Sequence, residues 1–479
     1  MTLVHDVPIR PVAVTELEPV IGPGRYSELV TAAAALRGRL GQRIIWNVNS
    51  TAVGGGVAEM LRVLVAYAEG LGIAVRWAVI SGDPEFFAIT KRLHNQIHGQ
   101  FGDAGLVGPA DAGHYEQVLA ANADELVKMV RSGDIVLLHD PQTAGLTDAL
   151  VRAGALVIWR CHIGADFQND VTRAAWEFLR PYLASAHGFV FSRQQYVPAW
   201  VPAPLTRIIP PSIDPFSAKN EDLDPDTVRA ILARAGVLAG GTPQVSGHFT
   251  RHDGTTGEVT QAASVVVGET RPGPADAVVV QVSRWDKLKD MPGVMHGFAE
   301  YVAPGADGYL MLVGPEVSEV ADDPEGSLVF DDCVAQWRRL PMPTRERILL
   351  VTLPLDDIEE NAATVNAIQR HARVIVQKSL AEGFGLTVAE GMWKARPVIG
   401  SAVGGIKDQI AEGTGILLPD PADLAAFGAH VRLLLDHPGE ADQMGRAGQE
   451  RVAEHYLGDR HLLQYAELFG TVLGPEDHP

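Results

Sequence analysis

Short β-branched runs alternate with longer stretches whose apolar residues recur at helical spacing, the pattern of α/β units built on parallel sheets. The alternation falls in two blocks. In the first, residues 43–49 (RIIWNVN), 74–80 (AVRWAVI), 134–139 (DIVLLH), 155–160 (ALVIWR) and 188–192 (GFVFS) read as strands of one sheet. In the second, 277–282 (AVVVQV), 308–313 (GYLMLV), 347–353 (RILLVTL) and 373–377 (RVIVQ), followed by RPVIG and TGILL, read as strands of another. The predicted class is therefore α/β, with two Rossmann-like, doubly wound domains.

The 479-residue length supports this division, being roughly three times a ~150-residue domain. Between the blocks, IIPPSIDPFSAKN carries Pro210, Pro211 and Pro215, which exclude regular helix or central strand, so the boundary is set near Ser212. The expected domains are 1–211 and 212–455. Within the second, 239–274 is rich in Gly, Ser and Thr with little periodicity and reads as an exposed insertion. Open α/β sheets bind ligands at the carboxyl ends of their strands, so two facing sheets would place a site in the cleft between them.

Charge narrows the ligands. With 39 Lys and Arg against 59 Asp and Glu, the net charge is −20, which disfavours a broad surface for nucleic acid or anionic lipid. Any anion must be held by a local pocket. Two cysteines, Cys161 and Cys333, suit a reducing compartment and make the cytoplasm the default location. The first residues lack a signal-peptide pattern, and no apolar run approaches the ~20 residues of a membrane span.

Several turns carry candidate chemistry. Gly54, Gly55 and Gly56 join a strand to a helical pattern, where backbone can approach a phosphate or sugar, or simply turn tightly. Glu59 stands where the last glycine of a G-x-G-x-x-G fingerprint belongs, so a nicotinamide site is weakly supported. In QVSRWDKLKD, Arg284 and Lys289 follow a strand end, where a diphosphate would lie; the alternative is pairing with Asp286 and Asp290. In QKSLAEGFGLTVAEG, a strand leads through Gly383, Phe384 and Gly385 into a helix starting near Leu386 and Thr387, whose free amides would favour a phosphate. Glu382 and Glu390 flank that turn. On one helix they would stand ~12 Å apart, too far for the ~5 Å carboxylate pair of a retaining glycosidase. They need separate tasks: Glu382 for sugar hydroxyls and Glu390 for ribose hydroxyls, or Glu390 as a solvated helix carboxylate. At two strand ends of the first block stand His139, Asp140 and Gln142 (LHDPQT) and Arg160, His162 and Asp166 (WRCHIGAD), with Cys161 as a packing residue. The pairs Asp322–Asp323, Asp331–Asp332 and Asp356–Asp357 lack metal-ligand spacing and read as caps or solvated loops.

Together, WNVNSTAVGGGVAEMLRVL, PEFFAITKRLHNQIHG, LLHDPQT, WRCHI, PPSIDP, QVSRWDKLKD and QKSLAEGFGLTVAEGMWKARPVIG resemble the trehalose glycosyltransferring synthases, retaining enzymes of the GT-B fold. The likeness spans roughly 26–462, and Glu382 with Glu390 matches the E-x7-E motif of a wider glycosyltransferase group. It implies transfer of glucose from a nucleoside diphosphate glucose, with ADP or UDP as the base carrier, to free glucose, giving α,α-trehalose. It also implies a C-terminal helix in 456–479 that returns to the first domain. Carried over residue by residue, it makes Arg284 and Lys289 the diphosphate cations, Glu390 the ribose acceptor and Glu382 with Gly383–Gly385 the donor-sugar grip. Asp140, Gln142, Arg160 and His162 would frame the acceptor and the reacting carbon. Two departures stand out: Gly164 follows CHI where such enzymes commonly carry an acidic residue, and the 239–274 insertion is longer than the family pattern.

No carboxylate is assigned as a nucleophile, so a front-face route is preferred in which the departing diphosphate takes the acceptor proton. No tightly bound cofactor is expected; Mg2+ is compatible with the donor, with no site assigned. The expected partners are small sugars and the nucleotide-sugar, with neither nucleic acid nor membrane, and a homodimer stays open. The competing readings are a retaining trehalose phosphorylase, a non-catalytic sugar-nucleotide sensor and, more distantly, an NAD-dependent dehydrogenase.

Overall fold

Runs such as IVLLH and VVVQV are apolar at consecutive positions, and only a strand covered on both faces buries them all. In the computed structural model, which describes residues 2–52, 55–101, 105–240, 245–317 and 324–474, they form the centres of two sheets. The sheets belong to two units, Met1–Ser212 with Tyr456–Pro479, and Ile213–His455.

The first unit has strands β1 (Val4–Asp6), β2 (Ile45–Asn49), β3 (Val75–Ile80), β4 (Ile135–His139), β5 (Leu156–Cys161), β6 (Gly188–Phe191) and β7 (Thr206–Ile208). Their order is β1-β3-β2-β4-β5-β6-β7, all parallel except β1, which runs antiparallel to β3. The five strands read from the sequence are present. The two edge strands β1 and β7 escape that reading because three residues carry no measurable alternation. The helix Gly458–Val472 packs in this unit against the helices Glu18–Leu40 and Gly56–Gly70. Its first turn is fixed by a bidentate bond from Arg25 to the buried Asp459, at 2.9 and 2.8 Å.

The second unit has strands β8 (His248–Thr250), β9 (Thr256–Glu258), β10 (Ser264–Val266), β11 (Val278–Val282), β12 (Tyr309–Pro315), β13 (Ile348–Leu353), β14 (Val374–Gln377), β15 (Val398–Ser401) and β16 (Ile416–Leu418). The main sheet has the order β10-β13-β12-β11-β14-β15-β16; its six parallel strands reproduce the Rossmann order, and β10 joins antiparallel to β13. The stretch expected to be an exposed insertion is largely exposed in its described part, and it also carries regular structure. It supplies that edge strand and a β8–β9 hairpin tied to the helix Ile358–His371. Arg251 pairs with Asp357 at 2.6 Å, and the Thr260 amide donates to Glu360 at 2.6 Å. Carboxylates at a helix start, half-buried Asp357 and buried Glu360, supply what the local sequence lacks in apolar periodicity.

Among the described residues no helix is long and apolar enough to cross a membrane.

Candidate functional site

In the second sheet the strand order reverses between β11 and β14, and open α/β sheets present ligand-binding loops at such a reversal. The two loops leaving these strands are stitched by one buried side chain. Gln281 donates to the Lys289 carbonyl at 2.7 Å and accepts from the Lys378 amide at 3.0 Å. The Leu380 amide adds a bond to the Leu288 carbonyl at 2.8 Å.

Lys289 then reaches across to Glu382, Nζ to Oε2 at 2.6 Å. Ser379 donates to the same oxygen at 3.3 Å, Gln377 donates to Ser379 at 3.0 Å, and Thr387 donates to Gln377 at 2.8 Å. Lys289, Glu382 and the start of the helix Leu386–Trp393 thus share one polar cluster. Gly385 enters that helix with φ +83°, and a Cβ there would stand 3.1 Å from Glu382 Cγ, so both conformation and room favour glycine. Among the described residues no side chain caps the helix, so its first-turn amides and positive dipole end form a candidate anion site. The carbonyls of Gly383 and Phe384 accept from the Gly405 amide at 3.0 Å and from Gln409 at 2.6 Å, fixing the turn.

Arg284 is exposed and 3.3 Å from Asp286, one of the two carboxylates named as its alternative partners. Asp290, the other carboxylate considered, pairs instead with buried Lys378.

Glu390 lies one turn into the same helix and is 2% exposed, which corrects the reading of a solvated carboxylate. Its Oε1 is 3.2 Å from Lys219 Nζ, while Oε2 is buried with no hydrogen-bond partner among the described residues. Buried acceptors are rarely left unmade in a folded protein, so this oxygen is a candidate acceptor for a ligand donor. Beneath it, Lys394 donates to the Glu390 carbonyl at 3.2 Å, and burial pushes its ammonium down to about 7.

In the first unit the strand order reverses between β2 and β4. Gly55 has φ +79° with open space around a Cβ, so the backbone conformation demands glycine there, and Gly56 opens the helix Gly56–Gly70. Gly54 lies outside the described residues, as do Asp322 and Asp323.

After β4, Asp140 takes a left-handed φ of +62°, a conformation that Asp tolerates better than most residues. Its Oδ1 accepts the His162 amide at 2.7 Å, and its Oδ2 has no donor among the described residues. Burial pushes this carboxyl up to about 7, against the opposing pull of the His162 amide and Arg160. Gln142 is half-buried beside it, with no side-chain hydrogen bond among the described residues.

Arg160 is fully buried, and four of its five N–H donors are used inside the unit: on His162 Nδ1 at 3.3 Å, His461 Nε2 at 3.0 Å, the Ile209 carbonyl at 3.2 Å and Tyr465 Oη. Its expected place in an acceptor pocket gives way to this internal role. An arginine only donates, so both imidazoles must accept from it, which sets their tautomers. His162 Nε2–H donates to His139 Nδ1 at 3.0 Å, and His139 Nε2–H donates to Asn47 Oδ1 at 3.2 Å. On the other branch, His461 Nδ1–H donates to Ser212 Oγ at 2.8 Å. Burial, then the Arg160 charge, holds all three histidines well below their ordinary value, so they are neutral. The His162 ring is enclosed and bonded at both nitrogens.

Gly164 has a specific neighbour: a Cβ would lie 2.1 Å from the ring of buried Tyr196, so that ring occupies the space of any larger residue. Among the described residues no group of three or more His, Cys, Asp or Glu could hold a metal ion. Lys219, Gln281, His461 and Tyr465 were not singled out from the sequence. The last two share a helix face at i, i+4, the only local signal for any of them.

Fold and site together define a glycosyltransferase of the GT-B class. The model for glycosyl transferases group 1 matches residues 359–451. An alpha,alpha-trehalose-phosphate synthase (UDP-forming) from Burkholderia xenovorans superposes with a TM-score of 0.66 at 15% identity, covering 90% of this chain and 100% of that one. The model for the trehalose synthase N-terminal domain matches residues 47–198. Trehalose synthases of Rubrobacter xylanophilus and Pyrococcus horikoshii are 34% and 32% identical, each covering 96% of this chain and 97% and 96% of their own lengths. The chain belongs to the trehalose synthase family, and is a glycosyl-transferring enzyme of trehalose metabolism.

Proposed function

We propose that the chain transfers glucose from a nucleoside diphosphate glucose to free glucose, forming α,α-trehalose with retention at the anomeric carbon. The observation that carries this reading is the buried, unpartnered Oε2 of Glu390, on the helix whose uncapped start adjoins Lys289. A leaving group with both a diphosphate and a ribose uses both features. Inorganic phosphate or glucose 1-phosphate would leave the Glu390 oxygen unmade.

In the proposed route the bond from C1 to the diphosphate oxygen breaks, and the acceptor hydroxyl attacks from the same face. The departing diphosphate takes the acceptor proton while the sugar gains oxocarbenium character. Lys289, Arg284 and the amides of Gly385, Leu386 and Thr387 compensate the charge that grows on the leaving oxygens. Asp140 and Gln142 are assigned to acceptor hydroxyls. His162, neutral and enclosed, serves by holding the Asp140 carboxyl through its own backbone amide. No cofactor or metal is invoked.

The test is product analysis. ADP-, UDP- and GDP-glucose are each mixed with glucose, alongside trehalose plus phosphate without nucleotide. Trehalose with its α,α linkage should form only in a nucleotide-sugar arm. Glucose 1-phosphate from the phosphate arm would mark a phosphorylase instead. Lys289→Ala should lower kcat by about 10²–10³ with an unchanged melting temperature; near-normal turnover in the folded variant removes the phosphate role.

A further inference from the structure

Lys219 lies in the segment after PPSIDP, which the sequence presents only as a crossing between domains. Its backbone is held on several sides. The Asn220 amide bonds the Ser217 carbonyl at 2.7 Å, and the Asn220 side chain donates to the Asp214 carbonyl at 3.0 Å. The Asn220 carbonyl accepts from Trp393 at 3.1 Å and Arg370 at 3.2 Å, and the Ala218 carbonyl accepts from Asn366 at 3.1 Å. Lys394 closes the clamp, donating to Asn220 Oδ1 at 2.9 Å and to the Glu390 carbonyl at 3.2 Å. The turn carrying Lys219 is thereby pinned to the very helix turn that carries Glu390.

This architecture exceeds what an ion pair needs. A surface pair lets two long side chains find each other, whereas here one partner is 2% exposed and the other comes from a buttressed turn. The pairing is also one-sided: Lys219 engages Oε1 and leaves Oε2 buried without a donor among the described residues. A lone buried carboxylate is costly, and a cation that satisfied both oxygens would close the site to hydroxyls. One cation on one oxygen avoids both penalties. It keeps the carboxylate in place and leaves the other oxygen's lone pairs for charge-assisted bonds.

We propose that Lys219 is a positioning residue for donor binding, which holds Glu390 so that its inner oxygen accepts from the ribose hydroxyls of a nucleoside diphosphate. The inference rests on the donor reading above. It predicts that Lys219 acts only on ligands that carry those hydroxyls, whereas a merely structural lysine would affect every ligand of the loop.

Calorimetric titration of the full chain tests this with ADP, UDP, their 2′,3′-dideoxy analogues and inorganic pyrophosphate. Lys219→Met should weaken the intact nucleotides by about tenfold to a hundredfold, the range for one hydrogen bond to a charged group. The same variant should bind the dideoxy analogues and pyrophosphate as the wild type does, and Lys219→Arg should restore nucleotide affinity. Lys219→Gln, which keeps a donor without the charge, carries the same test if the methionine variant folds poorly. Equal weakening of pyrophosphate and nucleotide, or no weakening of either, overturns the positioning role. A wild-type protein that binds dideoxy and intact nucleotides alike removes the ribose contact itself. That failure of the underlying reading shows separately, because it needs no variant.

Discussion

At the residue scale, Arg160 organises the interior of the first unit. It makes acceptors of His162 and His461 and so fixes three neutral imidazoles. Each of these has an ordinary value of 6.5, held well below that in the fold, so an unfolding chain takes up protons there as the solution turns acid. Their contribution to stability is complete above that value and is lost as pH falls below it. Asp140 acts in the opposite sense. Raised from 3.8 to about 7, it favours the fold in acid and loses that advantage as pH rises through neutrality. Three histidines outweigh one carboxyl, so the melting temperature should fall between pH 6.5 and 5. His461→Gln should remove about a third of the histidine share. A flat calorimetric profile over that window sinks the neutral-histidine assignment. Lys289, Glu382 and Glu390 were legible because motif spacing brings them out. Lys219 and His461 were not, because their partners lie far along the chain and nothing in their neighbourhoods marks the pairing.

At the element scale, the parallel strands and the helix from Leu386 were readable because their apolar runs exceed what a surface tolerates and because glycines mark the turn. The three-residue strands β1, β7 and β10 were not. Their pairing is decided by what the neighbouring strand leaves open, not by their own composition. The same limit hid the β8–β9 hairpin, whose anchors are Asp357 and Glu360 on a helix elsewhere. The loop-to-helix turn at Gly385 is where an element-level change should act on function. Gly385→Ala forces a left-handed alanine at a cost of about 1–2 kcal/mol and crowds Glu382. Donor KM should therefore rise severalfold while the acceptor KM holds. Unchanged donor kinetics in the folded variant contradicts the proposed anion site.

At the scale of the whole molecule, the chain leaves the first unit at Ser212 and returns to it at Tyr456. The returning helix supplies Asp459 to Arg25, and His461 and Tyr465 to Arg160. A chain ending at His455 leaves that guanidinium short of partners and uncovers the apolar residues that Leu462, Leu468 and Phe469 pack against, so the first unit loses stability. Scanning calorimetry should show the first unit melting earlier and the second unit unmoved; a single unshifted transition overturns this dependence. The sequence alone determined the α/β class, the division into two Rossmann-like units and the motif that places the chain among GT-B glycosyltransferases. The class and the division follow from local hydrophobic period and turn chemistry, which act between near neighbours, whereas the GT-B placement followed from the motifs' resemblance to a known family. Only the tertiary structure decided which oxygen of Glu390 is left without a partner among the described residues and that Arg160 faces inward. Each depends on charges and donors from distant segments meeting in one low-dielectric place, where the cost of an unmet partner selects a single arrangement.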